Sequence, residues 1–295
     1  MSPSRERFTS GIQDVHPLTA VTSAILRVIL RRYTIPLRAD AAAHQRVLAL
    51  APHIDDETIG CGGALRNHIL RSDDVRVIFL TDGGRSANAA ENIVAMREAE
   101  AQAAVGEVLG VSALEFWRHP DGELANVTTL GQQISTAFRA FRPTILYLPC
   151  PWDPHPDHVA TAIAAQDAVP HMNGIVRFCE SFCPLTPLLL NSAVDISTVY
   201  PEKVRALQAF QSQVVSFESI LLLNRRQANT IKDRSVRAVE AFLEIPQNLY
   251  SKVLDTLIST SARPRRISNM RNVLRAYLTN LRQAQQFAAS LNMVH

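Results

Sequence analysis

The stretch that decides the fold is VLALAPHIDDETIGCGG, running from Val47 to Gly63. Val47–Ala51 is a short apolar run of strand length, which reads as a buried strand. The chain leaves it through Pro52 and a polar turn. Gly60, Gly62 and Gly63 then allow a tight backbone path into a helix lying close to the sheet, expected near Gly62–Arg71. A strand, a turn and a helix in this order form the opening unit of a parallel sheet.

The same alternation continues outward from that unit. Val75–Leu80 (VRVIFL) is the next strand and closes on Thr81-Asp82-Gly83-Gly84. Ala89–Leu109 predicts one long helix ended by Gly110, and Ala113–Trp117 a short third strand. Leu130–Phe141 predicts a helix that must stop before Pro143. Thr144–Leu148 (TILYL) is a fourth strand, followed by the proline-dense loop Pro149–Pro156 and a helix over Val159–Val169. Ile175–Glu180 and Val194–Thr198 extend the pattern as strands, and Pro201 starts a helix with a ring suited to a first turn. The expected fold is therefore α/β, a Rossmann-like doubly wound, mostly parallel sheet flanked by helices.

Three regions are expected: an N-terminal extension over 1–45, partly helical, a catalytic domain over 46–247, and a basic helical extension over 248–295. The apolar stretch Ala20–Leu37 is interrupted by Arg27, Arg31 and Arg32. It reads as an amphipathic helix packed on the domain, too short and too charged for a spanning segment or a signal peptide. Ser251–His295 carries Asp255 as its one acidic residue against seven Lys or Arg, with Leu and Ala at helical spacing. One or two amphipathic helices follow, covering the sheet edge or making weak contact with a membrane surface.

Composition narrows the function. With 295 residues and 47% apolar content the chain can build a large core, and a formal charge of +3 gives no reason to expect a nucleic-acid partner. Four cysteines (Cys61, Cys150, Cys179, Cys183) show no CxxC pair and read as reduced thiols, so a soluble cytoplasmic protein is expected. The oligomeric state is left open.

Two motifs carry chemistry. In APHIDDETIGCGG, His53 and Asp56 stand three apart on the turn leaving the first strand, close enough to bind one ion. Imidazole nitrogen and carboxylate oxygen both suit zinc at about 2.0–2.2 Å. Asp55, Asp56 and Glu57 in succession are costly to hold together without a cation or hydrogen-bond donors. The second motif is Pro154-His155-Pro156-Asp157-His158, after the fourth strand. Its histidines and aspartate could supply a ligand, a charged donor and an orienting group. In the order 3-2-1-4 the first and fourth strands are neighbours, so the two loops converge in the crevice where the sheet reverses direction.

These residues, with Thr81-Asp82-Gly83, Arg97…Glu100, Pro120-Asp121-Gly122, Lys203…Gln211-Ser212-Gln213 and Val239-Glu240-Ala241-Phe242, resemble the LmbE-like / PIG-L family of zinc-dependent N-deacetylases. The resemblance spans roughly Val47 to Leu243. It implies His53, Asp56 and His158 as metal ligands for Zn²⁺, with another divalent ion such as Fe²⁺ as alternative. It further implies Asp55 as general base, His155 as the cation that stabilises the oxyanion, and Asp157 as the orienter of a histidine. Arg97 and Asp121 match positions that hold the substrate sugar. The implied substrate is an N-acetylated amino sugar, as a small molecule or a glycoconjugate such as an N-acetylglucosamine-containing precursor. Ile54 departs from the family's commonest proline without removing a ligand.

Either Asp55 or His155 could protonate the leaving amine. Trp152 and Asp153 are expected at the cleft rim, touching a sugar or simply packing the loop, and His68, His119 and His171 as structural or exposed, with a substrate role open to His119 because it sits beside Asp121. Two rival readings stand beside this one. A nucleotide- or methyl-donor-binding Rossmann enzyme lacks its GxGxxG spacing in Gly60-Cys61-Gly62-Gly63. A metal-stabilised sugar-binding protein without turnover has no use for the spare Asp55.

Overall fold

A computed structural model describes residues 17–38, 44–85, 92–213, 216–259, 264–267 and 272–290 of the chain. Its elements run α1 (Pro17–Leu30), β1 (Arg46–Ala51), α2 (Asp56–Leu70), β2 (Asp74–Thr81), α3 (Ile93–Ala101), β3 (Ala113–His119), α4 (Leu130–Phe141), β4 (Ile145–Pro149) and α5 (Pro156–Ala164). They continue with β5 (Ile175–Cys179), β6 (Ser192–Asp195), α6 (Tyr200–Ala209), α7 (Glu218–Gln227), β7 (Val239–Pro246), α8 (Tyr250–Ser259) and α9 (Val273–Ser290).

The sheet order is β3-β2-β1-β4-β5-β7-β6. β3 through β5 run parallel, while β7 is antiparallel to both of its neighbours. The doubly wound expectation and the adjacency of β1 and β4 both hold. Alternate residues of the strands feed two cores. Leu48, Leu50, Leu146, Leu148 and Phe178 pack against α4, α5 and α8, whereas Val47, Ala49, Tyr147 and Phe242 pack against α2, α3 and α6. A third cluster joins Leu26 and Leu30 of α1 to Leu223 of α7 and Val273, Ala276 and Tyr277 of α9. The two terminal extensions therefore pack on one another as well as on the domain.

Several elements differ from the sequence expectation. α2 starts at Asp56, six residues before the expected Gly62, so the glycines sit inside a helix. They are there for clearance: a Cβ on Gly60 would lie 2.6 Å from the Cys179 Cβ, and one on Gly63 2.7 Å from the Ile196 Cγ2. The long helix expected over Ala89–Leu109 is α-helical only through Ala101 and widens to a π-helical segment over Gln102–Val108. The amide of Leu109 accordingly bonds back to the Ala104 carbonyl, and Gly110 ends the run at φ +83°. The start of that expected helix, 89–91, lies outside the described residues. α5 begins at Pro156, earlier than Val159, and β6 lies two residues before the expected Val194. The strand β7 and helix α7 have no counterpart in the sequence expectation.

The segment leading from α1 covers the free edge of β6. Arg38 N donates to the Ala193 carbonyl at 2.8 Å, and Ala193 N to the Pro36 carbonyl at 3.0 Å. All four cysteines are buried and free. No helix among the described residues is long and apolar enough to cross a membrane.

Candidate metal centre

The carboxyl ends of β1 and β4 bring the two motifs together, as the expected strand order implied. Thr81 at the end of β2 braces the β1 exit, its Oγ1 donating to the Pro52 carbonyl at 2.7 Å. Asp55 is held at φ +145°, a backbone region that non-glycine residues avoid and that marks strain at functional turns. Ile54 lies fully buried beneath it, and Gln213 Nε2 donates to the Ile54 carbonyl at 2.9 Å.

Asp56 Oδ2 sits 3.0 Å from His53 Nδ1 and 3.1 Å from His158 Nε2. Two ligand atoms about 2.1 Å from a tetrahedral ion stand about 3.4 Å apart, so these separations fit a shared cation. The remaining nitrogen of each imidazole meets a carboxylate. His53 Nε2 is 3.2 Å from Asp157 Oδ2 and 3.3 Å from Asp121 Oδ1, and His158 Nδ1 is 3.5 Å from Asp153 Oδ2. A carboxylate behind a histidine fixes its tautomer and makes it a better ligand. Asp157 is itself fixed by the amides of Gly122 and Leu124, at 2.7 and 3.1 Å. Ser181 Oγ reaches Asp56 Oδ1 at 3.4 Å. Two further clusters among the described residues, His53/His155/His158 and His53/Asp121/Asp157, also bring ligand atoms close together without Asp56; the trio sharing Asp56 Oδ2 is the tighter, at 3.0 and 3.1 Å. The donor set of imidazoles and carboxylates suits a divalent ion such as zinc.

The electrostatics follow from this crowding. Without a metal, burial acts against protonation of His158, but Asp56 and Asp153 overcome it and raise the imidazole to about 9. His53 is likewise raised well above its ordinary value, with Asp121, Asp157 and Asp56 outweighing burial. Asp56 is held well below the carboxylate range, chiefly by His158 and His53 against its own burial. Asp55 goes the other way: burial first, then Asp56 and Glu57, push its carboxyl well up.

The surroundings of His155 disfavour its charged form. Burial, with His53 and His158 nearby, lowers its imidazole to about 4. Its Nδ1 accepts from the Asp157 amide at 3.3 Å, which leaves Nε2 to carry the proton.

The two residues matched to sugar binding are committed to the protein in this structure. Arg97 is buried, its Nη1 donating to the Gly83 carbonyl and its Nη2 lying 3.4 Å from Gln213 Oε1. Asp121 faces His53 and also accepts from the Arg85 amide at 3.2 Å. Trp152 and Asp153, expected at the rim, are only 3% and 2% exposed, so loop packing holds for Trp152 and Asp153 serves His158. His68 is structural, clasped by Asp73 and Tyr147 at 2.7 and 3.0 Å, and His119 bonds Gln133 at 2.8 Å.

Arg266, from the C-terminal extension, is a residue that sequence reasoning misses. Its Nε stands 3.5 Å from Asp153 Oδ1, with its guanidinium 5.7 Å from the Phe182 ring centre. Ile267 N donates to the Phe182 carbonyl at 2.6 Å. Asn280 of α9, fully buried, bonds both backbone groups of Arg265 and the Pro184 carbonyl. No local motif announces Arg266; only the packing of α9 brings it to the site.

Known proteins resemble this chain in sequence and in fold. Residues 48–169 match the model of the PIG-L family, described as GlcNAc-PI de-N-acetylase. The chain is 31% identical over 193 residues to the diacetylchitobiose deacetylase of Thermococcus kodakarensis, covering 57% of this chain and 70% of that protein. Among solved structures, a conserved protein from Thermus thermophilus superposes with a TM-score of 0.59 at 26% identity, over 68% of this chain and 94% of its own. The N,N'-diacetylchitobiose deacetylase of Pyrococcus horikoshii, complexed with an inhibitor, shares the fold with a TM-score of 0.62 at 22% identity. That match covers 81% of this chain and 96% of the other.

Proposed function

The chain belongs to the PIG-L (LmbE-like) family, and on that premise we propose that it is a zinc-dependent N-deacetylase acting on an N-acetylated amino sugar. The observation that carries this reading is Asp55. Its carboxylate is buried beside Asp56, and no hydrogen bond to it is found among the described residues. A site that only bound metal would have no use for it.

In this reading His53, Asp56 and His158 hold the ion. When bound, zinc supplies Lewis acidity to the amide carbonyl and to the attacking water. Asp55, whose carboxyl has a raised proton affinity, takes the water's proton as the oxygen adds to the acyl carbon. His155 donates from Nε2 to the oxyanion, a contact worth about 3 kcal/mol in such sites. The proton held by Asp55 then passes to the leaving nitrogen, the carbon–nitrogen bond breaks, and acetate and a free amine result. His155 is assigned to the oxyanion because it is neutral with one proton to offer. Asp157 and Asp153 hold the two ligand histidines in orientation. The positive charge of Arg97 counters the charge that Asp55 bears between proton transfers.

A nucleotide-binding reading is disfavoured by the start of α2, where buried Asp56 and Glu57 occupy the place a pyrophosphate would need. The test is acetate release from a panel of N-acetylated sugars, N-acetylglucosamine conjugates and diacetylchitobiose among them, before and after chelation. Release that chelator abolishes and zinc restores supports the proposal. No release from any acylated sugar by the metal-loaded protein would refute it.

A further inference from the structure

The face of α1 turned away from the protein is apolar. Its inner face buries Leu26 and Leu30, yet Val21, Ile25 and Val28, at spacings of four and three residues, are 56%, 39% and 58% exposed. A helix that is apolar on both faces ordinarily has something against each of them. Beside it lies a groove of about 410 Å³ between α1 and α9, lined by Thr22, Leu274, Arg275, Leu278, Thr279 and Arg282. Leu278 is 40% exposed, with Arg275 and Arg282 flanking it one turn away on either side.

The charge on α1 and α9 themselves has one sign. Neither α1 nor α9 contains an Asp or Glu. Arg27, Arg31 and Arg32 mark the end of α1, Arg225 and Arg226 the last turn of α7, which packs on α1, and Arg275 and Arg282 belong to α9. None of the seven makes an ion pair among the described residues. Arg226 is depressed by burial and by the charges of Arg27 and Arg225, so the cluster repels itself in the free protein. An anionic partner would relieve that repulsion.

We propose that the α1/α9 face docks on an anionic lipid bilayer, with Val21, Ile25, Val28 and Leu278 entering the interface and the surrounding arginines meeting lipid phosphates. Apolar and cationic groups on one surface are what an interfacial amphipathic helix presents to a membrane. A nucleic acid would use the arginines but gain nothing from the apolar row. A second copy of this chain docked through the same face would set two arginine clusters against each other. The surface adjoins the segment that carries Arg266 to the metal centre, since Ile267 shares the α1/α7/α9 core. The bilayer would therefore lie on the extension side of the site.

The test is vesicle co-sedimentation of the full chain, using phosphatidylcholine alone and phosphatidylcholine with a minority of phosphatidylglycerol, at low and high salt. Each arginine at such a surface contributes about fivefold to partitioning, so Arg275→Gln/Arg282→Gln should weaken binding about 25-fold. Val21→Ser/Ile25→Ser/Val28→Ser should weaken it on the order of a hundredfold. Both variants should keep the wild-type melting curve and the wild-type acetate release from a soluble sugar. Binding only to the anionic vesicles, reduced by salt and by both substitutions, supports the proposal. It is overturned by absence of binding to anionic vesicles, equal binding to phosphatidylcholine alone, or binding that neither variant weakens. A dimer in sedimentation velocity that the serine variant dissolves, or duplex DNA retained in place of vesicles, would overturn it equally.

Discussion

Replacing Glu240 with glutamine tests how the ligand-bearing turn of α2 is held. Lys203 Nζ and Glu240 Oε1 are 2.6 Å apart, with the two side chains 0% and 1% exposed. The pair enters the side of α2. Glu240 accepts from the amides of Gly63 and Ala64 at 2.9 and 2.7 Å, while Lys203 donates to the Ile59 carbonyl at 2.8 Å. These backbone groups belong to the helix that begins with Asp56, so the pair fixes the helix against β7 and α6. Glutamine keeps the volume, leaves no cavity, and removes only the charge and one acceptor. Removing one partner of a buried pair costs about 3–5 kcal/mol, because the other charge stays buried. The lost acceptor leaves a helix amide or the new side-chain amide unpaired, at about 1–3 kcal/mol. The two costs overlap, so the loss should fall at about 4–6 kcal/mol, a large part of a typical stability of about 5–15 kcal/mol. Lys203→Met alone should cost about 3–5 kcal/mol, and the double variant should recover about 2–3 kcal/mol relative to the sum. Urea unfolding followed by circular dichroism measures all three. A Glu240→Gln loss below about 1 kcal/mol, or simple additivity in the double variant, would refute a dry, mutually dependent pair.

Further outcomes follow from the same structure. Asp55→Asn should lower acetate release by about 10²–10⁴-fold while the zinc content per chain, read by mass spectrometry, stays at the wild-type value; loss of the metal as well would make Asp55 a ligand instead of a base. Asp153→Asn should weaken zinc affinity by about 10–100-fold in competition with a chelating dye, and unchanged affinity would deny it a role behind His158. Burial raises the Glu180 carboxyl from 4.5 to about 7, so between those values the folded chain keeps a proton that the unfolded chain has released. Stability from this group is therefore complete at low pH and falls as pH rises through the window, by about 3 kcal/mol. Glu180→Gln should flatten that slope in urea melts taken from pH 5 to 8, and an unchanged slope would place the titration elsewhere.

What can be read from the sequence is whatever the chain states locally. The runs Val47–Ala51, Val77–Leu80 and Ile145–Leu148 are apolar and unbroken because their strands are buried on both faces, and they appear as strands in the structure. β7 is hidden because Glu240 and Glu244 interrupt its apolar pattern and suggest a solvent face. Glu240 is buried nonetheless, since Lys203 and two helix amides meet it from remote parts of the chain. The start of α2 is displaced in the sequence reading because glycines suggest a turn, whereas here they clear space for Cys179 and Ile196.

The metal centre divides along the same line. His53 and Asp56 are legible because they lie just past the end of β1, and His158 because it opens the helix that follows β4; strand order alone brings those ends together. Their supporting groups come from other loops: Asp121 after β3, Ser181 after β5, and Arg266 from a segment fixed by α9. Charge state depends on that wider company. His155 stands in a motif that suggests a cation, yet burial withdraws the water that would stabilise its charge, and the His53 and His158 rings lie close beside it. A motif can name the atoms that meet an ion, but protonation is a sum over every charge within several ångströms. In the proposed mechanism Asp55 and His155 would divide the work by environment. The carboxyl crowded by other carboxylates tends to gain a proton and the imidazole crowded by imidazoles to lose one, which suits the first to accept from water and the second to donate to the oxyanion.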